Sequence, residues 1–232
     1  MISVILPTFN ESGSILALID SVHASLKDYD HEIIVADDNS PDNTFGILKD
    51  ANLLYVTPIL RLTDRGFAKS IRCGIEHANG EIIIVMDSDF NHNPTYLPMM
   101  IENLEFYDCV SASRFVYGGD MGNRTRHILS WMFNIFIRLM IRGQITDSLY
   151  GFFAIKKENI FQVKFDDVFW GYGDYCIRLM YYFQKKEFKV LQFPAINGER
   201  IAGEGNSGFI KVFLQYFREV IKLTYNIRFK NK

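Results

Sequence analysis

Cysteine is scarce in this chain. The three present, Cys73, Cys109 and Cys176, are odd in number and far apart. They offer neither a disulfide framework nor metal-ligand spacing, and read as core residues of a protein in a reducing compartment. Long apolar runs are lacking too. No stretch reaches the roughly 18 unbroken apolar residues that span a bilayer. The N-terminal run Ile2 to Leu6 is too short for a secretory leader and has no basic residue before it. Neither sign of charge dominates: 25 Lys and Arg face 27 Asp and Glu, for a formal net charge of -2. That balance argues against nucleic acid as a partner. No G-x-G-x-x-G follows a strand pattern, which sets aside a dinucleotide-binding protein. What remains is a soluble or surface-lying protein whose 232 residues, nearly half of them hydrophobic, suffice for one sizeable core.

Within that frame the first half alternates strand and helix signals. ISVILP (2–7), EIIVAD (32–37), LLYVTP (53–58) and EIIIVMD (81–87) are short apolar runs, and the segments between them carry helical spacing. Such alternation predicts an α/β fold with a mostly parallel sheet covered on both faces. Past Pro94 the pattern loosens. Strands are expected at 109–115, 151–157 and 188–194. Helices are expected over 127–142, 174–186 and from Phe209 to the C-terminus, with a mobile Gly-rich loop at YGGDMGNRTR. In parallel sheets ligands sit beyond the carboxyl ends of the strands. The stretches PTFNE, DDNSPDNT and DSD all fall there.

Asp87 and Asp89 follow a buried strand directly, where like charges repel and desolvation is costly. Solvated turn residues are the plain reading of a lone D-x-D. Two hard oxygen ligands at this spacing can instead share Mg²⁺ or Mn²⁺ while substrate phosphates complete its shell. Ser40 or Asp42 can cap the helix after the second strand, and a carboxylate at Asp37 is also placed to meet a nucleobase or ribose. Glu11 suits a helix N-terminus whatever its role, and could equally bind ribose hydroxyls.

Taken in order, these stretches resemble inverting family-2 glycosyltransferases. PTFNE is similar to their P-x-Y-N-E, DDNSPDNT to D-D-x-S-x-D-x-T, and MDSDFNHNP to the M-D-A-D-L-Q-H-P-P of polyprenyl-phosphate hexosyltransferases, the dolichol-phosphate mannosyltransferase branch. SRF with its following GG, DSLYGFFAI and ER-x-x-GEGNS fall where that branch has equivalents, so the likeness runs over roughly residues 2–210. The resemblance implies a GT-A fold over residues 1–207. Pro7, Phe9, Glu11 and Asp37 would line the nucleotide pocket, with Asp87 contributing. Asp89 and Asn91, with Asp87, would hold Mg²⁺ or Mn²⁺ on the donor diphosphate. Arg114, Arg126 and Arg200 would face the phosphates or the acceptor. The donor implied is a GDP- or UDP-hexose. Three departures stand out: Phe9 replaces a tyrosine, Asn91 a glutamine, and Asn206 the lysine of the usual G-E-S-K.

Two acceptors follow, a polyprenyl phosphate or the hydroxyl of a glycan. A hydroxyl needs a base to take its proton, whereas a phosphate is already anionic and needs only cations to hold it. Asp174, in WGYGDYCIR, is either that base or a helix cap. RTRHILSWMFNIFIRLMIR reads as a core helix or as one grazing a membrane with its arginines at head-group level. Residues 208–232 form a basic amphipathic helix, rich in Lys and Arg against the single acid Glu219. It suits either the protein surface or an anionic membrane. The reading is a metal-dependent, inverting hexosyltransferase bound peripherally at the cytoplasmic face of a membrane. A nucleotide-sugar-binding subunit without turnover is the alternative of another class.

Overall fold

The computed structural model describes residues 1–198 and 209–229, with side chains described at 1–198 and 212–229. Arg200 and Asn206 lie outside the described residues. The chain runs β1 (Ile2–Thr8), α1 (Ile15–Ser25), β2 (His31–Asp37), α2 (Thr44–Ala51), β3 (Val56–Leu60), α3 (Phe67–His77), β4 (Ile82–Val85), α4 (Leu97–Asn103), β5 (Cys109–Ser113), α5 (Arg124–Ile141), β6 (Phe153–Lys156), α6 (Lys157–Ile160), α7 (Phe165–Val168), α8 (Tyr175–Lys185), β7 (Val190–Pro194) and α9 (Phe209–Phe229). A 3-10 turn at Pro94–Tyr96 leads into α4.

Among the described residues seven strands form one sheet in the order β3-β2-β1-β4-β6-β5-β7. All neighbours are parallel except β6, which runs antiparallel to both β4 and β5. The sheet is therefore mixed but mostly parallel, as the alternation of runs and helices requires.

Alternation along the strands divides the core. Val4, Leu6, Ile33, Val35 and Ile84 point into one layer with α1 and α4. Ile5, Ile34, Ile83 and Val85 point into the other with α3 and α8. Because both faces are covered, these strands are continuous apolar runs rather than half-polar ones. Each such fully buried aliphatic side chain contributes about 1.5–3 kcal/mol. A smaller third cluster joins α5 to α9 through Phe133, Ile137, Ile141 and Val220, and reaches α8 at Ile177. Cys109 and Cys176 are buried thiols, while Cys73 is partly exposed on α3.

Register places the site. Thr8 pairs with Asp37, and Asp37 with Leu60, so β1, β2 and β3 end level. Ile5 pairs with Val85, which brings the residues after β4 beside Pro7. The antiparallel β6 starts opposite Val85, so the segment before it, including Asp147 and Tyr150, also reaches this edge.

Candidate active site

The chain leaves β4 at Met86 and turns sharply. Asp87 donates its backbone N–H to Nδ1 of His92 at 2.8 Å, and Ser88 Oγ donates to the carbonyl of Pro7 at 2.9 Å. Phe90 adopts φ 65°. A bulky residue in the left-handed region is costly and persists where surrounding contacts hold it. Here the reversal folds Asn91 back onto Asp89: its backbone N–H donates to Oδ1 at 3.1 Å and its side-chain amide to Oδ2 at 2.7 Å. Gly198 closes the loop from above, donating to the Asn91 carbonyl at 2.9 Å. A Cβ at Gly198 would lie 2.1 Å from the Phe90 carbonyl, so only glycine allows this approach.

The donors of this loop are hard oxygens. Asp89 is nearly buried and Asp87 is one-third exposed at its side chain. This chemistry fits Mg²⁺ or Mn²⁺ rather than a soft metal. Among the described residues no group of three or more His, Cys, Asp or Glu converges as a full cage, so substrate oxygens would have to complete the shell. Asn91 turns its amide nitrogen to Asp89 and its oxygen to Asn197 Nδ2 at 3.1 Å. The Asn91 oxygen that would ligate a cation is the one that here accepts from Asn197.

His92 sits beneath, stacked on Phe152 at 4.8 Å and edge-on to Tyr150 at 4.5 Å. Burial pushes its imidazole down to about 3, so it is neutral at pH 7. Because Nδ1 accepts from Asp87, the proton resides on Nε2, 3.6 Å from the Asp87 carboxylate.

Around β1 and β2 the turns are built from asparagines at positive φ, Asn10 and Asn39. Phe9 is half exposed, its ring under the Arg65 guanidinium at 5.4 Å. Glu11 is buried and accepts from Ser14 Oγ at 2.9 Å. Asp37 is wholly buried and accepts from both the backbone N–H, at 3.0 Å, and the hydroxyl of Ser40. Asp37 is thus held in a turn beneath the partly exposed Ser40, each of its oxygens accepting one hydrogen bond. Asp42 accepts from the backbone N–H of Thr44 at 3.1 Å at the start of α2 and from that of Ser12 at 2.9 Å, joining the two loops. Asp38 pairs with the buried Arg61 and accepts from the Gly66 N–H at 2.6 Å.

At the end of β5, Arg114 is gripped by Asp147, which accepts from Nε at 2.7 Å and Nη2 at 2.9 Å. Burial works against the Arg114 charge, but Asp147 outweighs it and holds the guanidinium above its ordinary value. The guanidinium also lies 4.7 Å over the Tyr150 ring. Tyr150 donates its hydroxyl to the Asn91 carbonyl at 3.2 Å. A continuous chain of contacts thus runs from the Asp87–Asn91 loop through Tyr150 to Arg114.

Beyond Arg114 opens a cavity of ≈ 580 Å³ between α5 and α9. Its walls include Met121, Leu129, Phe133, Phe136, Leu149 and Phe217, and two cations, Arg114 and Arg126, line it as well. Arg126 is exposed in the first turn of α5, which Asn123 caps by accepting its backbone N–H at 3.0 Å. The Gly-rich loop expected to be mobile is tied at Asp120 by a bridge to Ile196.

Asp174 belongs to none of these. It has no exposed surface and accepts from Arg178 Nη1 at 2.6 Å, Tyr172 N at 2.8 Å and Gln215 Nε2 at 3.0 Å. These three donors enclose the carboxylate and tie it to α9 as well as to its own helix. Asp174 stands at the N-cap position of α8, but its side chain makes no hydrogen bond to the first N–H groups of that helix.

Sequence reading missed Asp147, Tyr150, His92 and Asn197. Asp147 and Tyr150 do stand in the family-like stretch DSLYG, and His92 in MDSDFNHNP, so motif membership was the available signal.

Comparison with known proteins gives the family. The chain aligns over 96% of its length, at 28% identity, with the dolichol-phosphate mannosyltransferase of Pyrococcus furiosus, spanning 63% of that protein. It is 27% identical to the undecaprenyl-phosphate mannosyltransferase of Micrococcus luteus over 86% of this chain and 84% of that one. Among solved structures, glucosyl-3-phosphoglycerate synthase from Mycobacterium tuberculosis, in complex with Mn²⁺, UDP and phosphoglyceric acid, superimposes with a TM-score of 0.73. That match covers 98% of this chain and 78% of that one at 19% identity, and shows the GT-A fold. The family model for glycosyl transferase family 2 matches residues 3–162. With the D-x-D loop, the strand-end turns and the fold in agreement, this chain belongs to glycosyl transferase family 2 and resembles the polyprenyl-phosphate mannosyltransferases.

Proposed function

We propose that the protein moves a hexose, with inversion, from a GDP- or UDP-sugar to a polyprenyl phosphate at the cytoplasmic face of a membrane. The cavity between α5 and α9 carries this reading. It is walled by aromatic and aliphatic side chains, as a prenyl chain requires, and Arg114 and Arg126 line it as a phosphate requires. The contacts through Tyr150 connect it to the D-x-D loop, so acceptor and donor would meet near Arg114.

Pro7, Phe9 and Glu11 at the carboxyl end of β1, with Asp37 at that of β2, would receive the nucleotide. Asp87, Asp89 and Asn91 would hold Mg²⁺ or Mn²⁺, which supplies positive charge against the departing diphosphate. Arg114, Arg126 and Arg200 are assigned to the phosphates of acceptor and donor. One acceptor phosphate oxygen forms a bond to the anomeric carbon from the face opposite the leaving group. The carbon–oxygen bond to the diphosphate breaks, and its electron pair leaves with the nucleoside diphosphate. A phosphate oxygen brings no proton that must be removed, in keeping with an Asp174 carboxylate hydrogen-bonded to Arg178 and Gln215.

The test is sugar transfer from GDP-mannose and from UDP-glucose, with Mn²⁺, to undecaprenyl phosphate, to the matching unphosphorylated alcohol and to a soluble glycan. Transfer to the phosphate alone is expected, and Arg126→Ala should raise its KM about tenfold, the loss of one charged hydrogen bond. Calorimetry with GDP and UDP should show metal-dependent binding of one of them, lost in Asp89→Ala. Transfer to the glycan but not to the phosphate would overturn the reading.

A further inference from the structure

The stretch WGYGD, which neither donor nor acceptor chemistry absorbs, has a structural counterpart in α9. The buried Asp174–Arg178 pair makes two polar contacts to that helix: Gln215 donates to Asp174 at 3.0 Å, and Glu219 accepts from Arg178 at 3.4 Å. Trp170 lies between cations of the two helices, 3.7 Å from the Arg178 guanidinium and 4.7 Å from the Lys222 ammonium. Arg178 also donates to the carbonyls of Val168, at 3.0 Å, and Trp170. The glycines make room for this arrangement. A Cβ at Gly173 would stand 2.2 Å from the Tyr216 hydroxyl, and one at Gly171, where φ is +77°, 2.8 Å from an Asp174 oxygen.

Between and beside Gln215 and Glu219 on α9 lie Phe213, Tyr216 and Phe217, and all three line the cavity. Phe213 and Phe217 pack on Phe133 and Phe136 of α5, with ring centroids 5.0 Å and 5.2 Å apart. Aromatic packing alone lets a helix slide along its neighbour. Directed bonds to a buried, immobile carboxylate and guanidinium fix its register.

We propose that Asp174 and Arg178 are positioning residues for the acceptor: they lock α9 through Gln215 and Glu219, and so hold one wall of the acceptor cavity. This rests on the cavity's being the acceptor site. The acid at the head of α8 then serves transfer by fixing geometry, without taking a proton.

The test uses the full chain with Gln215→Leu and Glu219→Gln, which leave the Asp174–Arg178 pair intact, beside Asp174→Asn. The readouts are amide hydrogen exchange along α9, nucleotide affinity by calorimetry with Mn²⁺, KM and kcat for undecaprenyl phosphate, and the pH profile of kcat. Gln215→Leu with Glu219→Gln should speed exchange in α9 and raise acceptor KM about tenfold. Nucleotide affinity should stay unchanged, as should the pH profile of kcat. Unchanged α9 exchange would overturn the lock. Faster exchange with unchanged acceptor KM would overturn the cavity as acceptor site, and with it the positioning role. If Asp174→Asn folds and loses kcat at saturating acceptor with α9 protection intact, Asp174 is a base and the proposal is wrong.

Discussion

His92 Nδ1 and the backbone N–H of Asp87 are joined at 2.8 Å, beneath a loop whose two carboxylates share one turn. The imidazole acts here as a fixed acceptor. Stacking on Phe152 sets its plane, and burial keeps it neutral. Its Nε2–H points toward the Asp87 carboxylate. Partners of this kind orient metal-binding groups, and losing them typically costs 10- to 100-fold in affinity. His92→Phe keeps the ring and the stacking but removes both nitrogens. The expected result is a folded protein whose Mn²⁺-dependent nucleotide affinity falls about tenfold or more, measured by calorimetry. Undiminished affinity would show that the Asp87 turn holds without the imidazole.

Much of this fold could be read from the chain, for a physical reason. Strands buried on both faces are unbroken apolar runs, so β1, β2 and β4 and the loops at their carboxyl ends stood out. The direction of β6 did not. FAIK reads alike in a parallel or an antiparallel neighbour, and only the pairing with Val85 and Cys109 settles it. Asp174 stayed ambiguous for a related reason. An acid at a helix start suggests a cap or a base, yet its four-residue spacing to Arg178 on the same helix face was a readable sign of an ion pair. Asp147 was marked only by its place in DSLYG, with nothing local to name its partner. Its role exists only because β5 and the approach to β6 bring it against Arg114 across 33 residues.

The opposite edge of the sheet gives a prediction about acid stability. Burial opposes the charge on Glu32, but hydrogen bonds from Ser3 Oγ at 2.5 Å and from Asn79 N at 2.7 Å outweigh it and hold the carboxyl below its ordinary 4.5. With the folded value depressed, the unfolded chain takes up the proton first as pH falls. The stabilisation is therefore fully present above about 4.5 and lost as pH drops through the folded value. Glu32→Gln should cost about 1–2 kcal/mol at pH 7, and the gap from wild type should shrink by pH 3.5. Urea unfolding at the two pH values measures it. A gap equal at both would mean that the charge contributes nothing.

The outer surfaces of α5 and α9 raise the question of where the protein works. No helix among the described residues is long and apolar enough to cross a membrane. Yet Trp131, Met132 and Leu139 on α5 and Leu214, Ile221 and Phe229 on α9 are exposed, on two helices held side by side by their paired phenylalanines. Arg138, Arg218 and Arg228 lie on the same helices. Apolar side chains that can enter the acyl boundary, with cations at head-group depth, suit an anionic bilayer. Vesicles containing phosphatidylglycerol should bind the protein in 0.1 M salt, and neutral phosphatidylcholine vesicles only weakly. Each of Arg218→Glu and Arg228→Glu removes one favourable charge, worth about 1 kcal/mol or roughly fivefold in partitioning, and adds a repulsive one. Leu214→Asp with Ile221→Asp should weaken binding even in low salt, because it removes the inserted surface itself. Sedimentation of the protein with each vesicle type, at 0.1 M and 0.5 M salt, reads all of these. Equal binding to neutral and anionic vesicles would rule out the arginines as the anchor. Full binding by the double aspartate variant would rule out the apolar face.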